Sequence, residues 1–209
     1  MKKLLHINAC PRGDESRTLK VSAAFLSSFK NTHKDWVVEE LNLFREKIPE
    51  LTARRVDGKY VLMGGKDLFG ELKESWDEVI AHIDRFKSAD RYLLSTPMWN
   101  FSIPYPLKQY IDVIVQPKYL FRYTETGAVE GLVKGKKMTV IASRGGDYTS
   151  EAYKPYDHQE PYLRTVFGFV GLTDMTFIVA QPMDSGAEEL RKRRLEEAIN
   201  QARELATVF

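Results

Sequence analysis

The chain has almost no cysteine. Of its 209 residues only Cys10 carries a thiol, so no internal disulfide can form and a disulfide-stapled secreted scaffold is excluded. Four histidines, His6, His33, His82 and His158, lack metal-ligand spacing, which argues against a zinc site. Neither sign of charge is in excess: 31 Lys plus Arg face 29 Asp plus Glu, and the basic residues gather in no stripe. No nucleic-acid partner is expected of such a surface. No apolar run approaches the roughly 20 residues of a bilayer-spanning helix, so no membrane partner is expected either. Met1-Lys2-Lys3 followed by Leu4-Leu5-His6-Ile7 looks like a signal peptide only superficially, because polar residues from Asn8 onward interrupt it; it reads as a first strand. The expectation is a soluble, cytoplasmic protein whose length suits one α/β domain over residues 1–209.

What is present is alternation. Strand-like runs at Lys3–Ala9, Trp36–Leu43, Arg91–Ser95, Met138–Ala142 and Met175–Ala180 alternate with helical patterns, the signature of βαβ units and a parallel sheet. Leu68, Leu72, Trp76, Val79, Ile80, Ile83 and Phe86 share one helical face, with Trp76 a core residue. Further helices are expected near 18–29, 104–115, 161–169 and 187–206. The most economical fold is a doubly wound five-stranded sheet of order 2-1-3-4-5 with helices on both faces, in which ligands bind at the switch between the first and third strands. Two segments depart from plain winding. Residues 44–66 are long, with a charged middle that suits a lid, a partner surface or an extra helix. Residues 120–136 alternate around Glu125-Thr126-Gly127 and predict a small hairpin insertion.

Three strand ends carry the chemistry. After the first strand, Cys10 to Thr18 opens a helix; the Ser16 and Thr18 hydroxyls, the Arg17 charge and the helix N-terminus suit a phosphate, although Ser16 or Thr18 would equally serve as a plain N-cap. After the third strand, Pro97-Met98-Trp99-Asn100-Phe101 offers an apolar, aromatic turn shaped for a flat heterocycle. The other fate of such aromatics is simple burial. After the fourth, Ser143-Arg144-Gly145-Gly146 brings backbone N–H groups close to a ligand, or makes a sharp turn. No G-x-x-x-x-G-K-[ST] is present, which excludes a P-loop nucleotidase. Together the three loops read as a flavin or nucleotide site.

The stretches STPMWNFSIPYPLKQYID (95–112), FRYTETG…EGLVKGKK and SRGGDY resemble the FMN-dependent NADH azoreductases, also described as FMN-dependent NADH:quinone oxidoreductases, a family of flavodoxin-like homodimers. The likeness spans nearly the whole chain and is most specific between Ser95 and Gly146. It implies ping-pong transfer of two electrons from NADH through FMN to quinones or azo compounds, with the chemistry on the cofactor and no catalytic side chain. It implies that Ser16-Arg17-Thr18 hold the FMN phosphate, that Met98 to Phe101 lie along the ring system, that Ser143 to Gly146 meet its other edge, and that Tyr123 lines an acceptor pocket across a dimer. This chain departs from the family's Ser at Cys10 and from its Tyr at Trp99, which weakens the case for direct cofactor roles at those two positions.

Two other classes compete with this reading. A phosphatase with Cys10 as nucleophile would need five residues before its arginine; here six separate Cys10 from Arg17, and no Asp-Pro acid follows. A flavodoxin-type electron carrier would be strongly acidic, unlike this balanced chain.

Overall fold

A computed structural model describes residues 1–209. Seven strands and six α-helices follow one another as β1 (Lys2–Asn8), α1 (Arg17–Thr32), β2 (Trp36–Asn42), α2 (Ala53–Met63), α3 (Gly70–Lys87), β3 (Arg91–Pro97), α4 (Tyr105–Ile114), β4 (Phe121–Tyr123), β5 (Val129–Gly131), β6 (Lys137–Ser143), α5 (Gln159–Phe169), β7 (Asp174–Ala180) and α6 (Glu188–Val208). The main sheet is parallel, in the order β2-β1-β3-β6-β7. With the hairpin β4–β5 set aside, this is the expected 2-1-3-4-5 winding. No helix is long and apolar enough to cross a membrane.

Period-two alternation in the strands sorts the core into two layers. Leu4, Leu93, Ile141 and Ile178 meet Phe25 and Phe29 of α1 and Ala198, Ala202 and Ala206 of α6. The neighbouring Leu5, Ile7, Leu94 and Val140 meet Trp76, Ile83, Leu107, Ile111 and Phe167 from α3, α4 and α5. The three alanines recur every fourth residue, so their small side chains line one face of α6, toward α1.

Two expectations are revised by this architecture, and for a third the structure selects one of the stated alternatives, the extra helix. Strand β3 continues through Thr96 and Pro97, which pair with Ala142 and Ser143 of β6; a terminal proline is tolerated because it ends the ladder. The segment 44–66 contains helix α2, and its charges are spent on its neighbour. Arg55 pairs with Glu78 at 2.6 Å, donates to Ser75 O at 2.6 Å, and receives Trp76 Nε1 on its carbonyl at 3.1 Å. Gly58 admits that indole, since a Cβ there would lie 2.3 Å from it. The hairpin is shorter than its alternating stretch: Phe121–Tyr123 against Val129–Gly131. Its root abuts the α5–β7 connection, where a Cβ on Gly131 would fall 2.2 Å from Gly171 N.

Candidate active site

The carboxyl ends of β1, β3, β6 and β7 enclose a cleft of about 200 Å³ lined by Pro11, Arg12, Ser16, Arg17, Pro97, Met98, Trp99, Ser143, Arg144, Gly145, Met183 and Asp184. It falls at the switch point between β1 and β3, as the winding requires. Seven of the expected residues line it: Ser16, Arg17, Pro97, Met98, Trp99, Ser143 and Arg144, with Gly145 an eighth. Asn100, Phe101 and Gly146 adjoin it in the same turns. Pro11, Arg12, Met183 and Asp184 were not foreseen.

Ser16 is the N-cap of α1, its Oγ accepting the Leu19 N–H at 3.2 Å. The plain-cap reading is therefore true of Ser16, and the N–H groups of the first turn beyond it remain pointed at the cleft mouth. Thr18 is fully buried and shares a hydrogen bond with Ser143 Oγ at 2.7 Å, tying the α1 loop to the β6 loop from behind. The polar seam continues inward. Ser22 Oγ donates to Thr18 O at 2.9 Å and meets Ser95 Oγ at 2.7 Å, and Ser95 Oγ meets His6 Nε2 at 2.8 Å. Because the single Ser22 proton goes to a carbonyl, Ser95 donates to Ser22, and His6 must donate from Nε2; the network assigns that neutral tautomer. Burial supports it, lowering the His6 pKa to about 4 against a smaller opposing pull from Glu40.

The Arg144 side chain is buried, pairing with Asp157 at 2.9 Å and donating to Gln159 Oε1 at 3.1 Å, so its contribution to the cleft lining is not a free cation. Gln159 Nε2 in turn donates to Pro97 O at 3.0 Å, and His158 N–H donates to Phe101 O at 3.0 Å. The 157–159 segment thus holds both the Pro97 and the Phe101 turns, a hub that the sequence did not mark. The His158 ring is solvent-facing, as its polar loop suggested.

Cys10 lies behind the cleft, 3% exposed, with Sγ 3.5 Å from Ser95 O, and burial pushes its thiol up to about 12. A thiol held protonated in the core cannot be the nucleophile of a phosphatase, so that alternative falls. Tyr123 is half-exposed on the hairpin, opposite Val129 and edge-on to Phe121, and does not reach this cleft within its own chain.

The turn after β3 is strained. Trp99 and Ser102 exchange both backbone hydrogen bonds at 2.9 Å, closing a two-residue turn in which Asn100 (φ 45°) and Phe101 (φ 69°) are both left-handed. Such primed turns prefer glycine at the second central position, yet here a phenylalanine occupies it, 47% exposed. Strain of this kind, retained beside a cleft, marks a functional demand on the side chain. Around it stand Phe44, with its ring 5.9 Å from Trp99, and Tyr105, 6.4 Å from Trp99. The N–H groups of Asn100, Phe101, Gly145 and Gly146 donate to no protein acceptor.

The comparisons with known proteins agree with this geometry. The family model of the flavodoxin-like fold matches residues 2–206, which gives the class. Within it, an FMN-dependent NADH:quinone oxidoreductase of Nitratidesulfovibrio vulgaris strain DP4 is 35% identical over 210 residues, covering 100% of both chains. FMN-dependent NADH:quinone oxidoreductase 2 of Clostridium acetobutylicum is 39% identical over 210 residues, covering 98% of this chain and 100% of its own. The crystal structure of an FMN-dependent NADH-azoreductase from Bacillus anthracis strain Ames Ancestor, in complex with FMN, superposes with a TM-score of 0.83 at 32% identity, covering 99% of this chain and 100% of that one. The chain belongs to the family of FMN-dependent NADH:quinone oxidoreductases and azoreductases.

Proposed function

We propose that this protein is an FMN-dependent oxidoreductase that takes two electrons from NADH and delivers them to quinones or azo compounds, working as a homodimer in the cytoplasm, with residues 1–209 forming one FMN-binding domain. The observation that carries the reading is the pairing of a helix start suited to an anion with unclaimed N–H groups of Gly145 in the cleft and of Asn100, Phe101 and Gly146 in the turns that adjoin it. The residues present fit the cofactor at both ends. Ser16, Arg17 and the first turn of α1 suit a phosphate monoester, while Met98, Trp99 and Phe101 give an apolar face and Asn100, Gly145 and Gly146 give donors for the polar edge of a flat heterocycle.

When bound, FMN supplies the two-electron chemistry that no side chain provides. The chain's own contribution is position and polarity. Arg17 and the α1 dipole would hold the phosphate end. The unclaimed N–H groups of Gly145, Gly146 and Asn100 would serve as donors to negative charge on the reduced ring, in the manner of an oxyanion hole. Thr18 and Arg144 fix the loops from behind, so the donors need little reorganisation. On this reading Tyr123, half-exposed on its hairpin, would line the acceptor pocket of a second copy. The protein reconstituted with FMN should lose its flavin absorbance on anaerobic addition of NADH and regain it with a benzoquinone. Bound FMN that NADH does not bleach would instead favour the electron-carrier reading.

A further inference from the structure

The cleft already holds an anion of its own. Asp184, on the loop between β7 and α6, places Oδ1 2.5 Å from Arg17 Nη1. Its Oδ2 occupies the space that a side chain on Gly145 would need, 2.8 Å from the Cβ position. Gly145 is not among the left-handed residues, and its missing side chain leaves the carboxylate room. The backbone of this loop is fixed, with Met183 N–H donating to Arg144 O and Asp184 N–H to Gly145 O, each at 2.9 Å. The side chain is not: it is 70% exposed, and Arg17 is its only ion-pair partner.

We propose that Asp184 is a built-in competitor for the cofactor phosphate, neutralising Arg17 in the free protein and swinging into water as a phosphate monoester takes its place. This inference rests on the FMN reading above and deepens it, because the device acts on the phosphate alone and so weighs phosphorylated against unphosphorylated flavin. Two anions cannot share one guanidinium at the mouth of the cleft without repelling each other. An exposed pair is cheap to break and is screened by salt, so the displacement is feasible and its effect moderate.

The test is a fluorescence-quenching titration of the wild type, Asp184→Asn and Asp184→Ser with FMN and with riboflavin, at low and high salt. Both variants should bind FMN about three- to tenfold more tightly than the wild type at low salt, with the gain shrinking at high salt. Riboflavin affinity should be equal in all three. Unchanged or weakened FMN binding in the variants overturns the proposal, as does an equal gain for riboflavin, which would place the effect away from the phosphate. A wild type that binds neither flavin would instead overturn the FMN reading itself, an outcome recognisable before any variant is compared.

Discussion

The two halves of the cleft are built on opposite terms. Behind the cleft, order comes from buried side-chain hydrogen bonds: Ser143 to Thr18, Ser22 to Ser95 to His6, and Arg144 to Asp157 and Gln159. On the ring side, order comes from a backbone forced into the left-handed region, with aromatic rings left in solvent. The first half is tied together by linked, buried side-chain hydrogen bonds. The second stores strain and exposes apolar surface that a bound ring would cover. A site that must grip one end of a ligand and leave the other open to successive partners needs both constructions.

Cutting the buried side should cost most. Arg144→Met leaves Asp157 without its partner and releases Gln159, and should destabilise the fold by about 3–5 kcal/mol in urea denaturation. No loss, or a gain, would show that the ion pair is dispensable to the loop. Next in size is a pH effect at the base of the same seam. His6 has a folded pKa of about 4 against an ordinary 6.5, so between these values the unfolded chain takes up more protons than the folded one. Stability should therefore fall as pH drops from 6.5 towards 4, by about 3 kcal/mol from this group. In His6→Gln that share of the slope should vanish, which paired denaturation curves across the window would reveal. The ring side should respond least. Phe101→Gly relieves a left-handed residue by about 1 kcal/mol while losing its contacts with Tyr148 and Tyr156, so net stability should move by less than about 1 kcal/mol. Phe101→Ala keeps the strain and loses the ring, and should be the less stable of the two. If the two variants prove equally stable, the turn is not strained and the contrast between the halves disappears.

The sequence announced the ring side better than the phosphate side. Met98 to Phe101 stand together in the chain, so their clustering was visible without any long-range contact. The five strands were equally plain because each is a short apolar run bordered by turn residues. The buried pairing of the Arg144 side chain was not legible because its partners, Asp157 and Gln159, lie beyond an intervening turn. Asp184 was invisible because its pairing with Arg17 closes the sheet from its first helix to its last loop. Helix α2 was one of three readings of its charged segment, and the choice among them becomes plain only when Glu78 is seen across from Arg55.

The contact between Gly131 and Gly171 turns the hairpin into a lever with a fixed fulcrum. Two backbones touch there with no side chain between them, so the arm bearing Tyr123 has its direction set by the connection between α5 and β7. Its reach is then a property inherited from the far side of the sheet. Residues of that connection do not line the cleft, yet they set the direction of the arm that bears Tyr123.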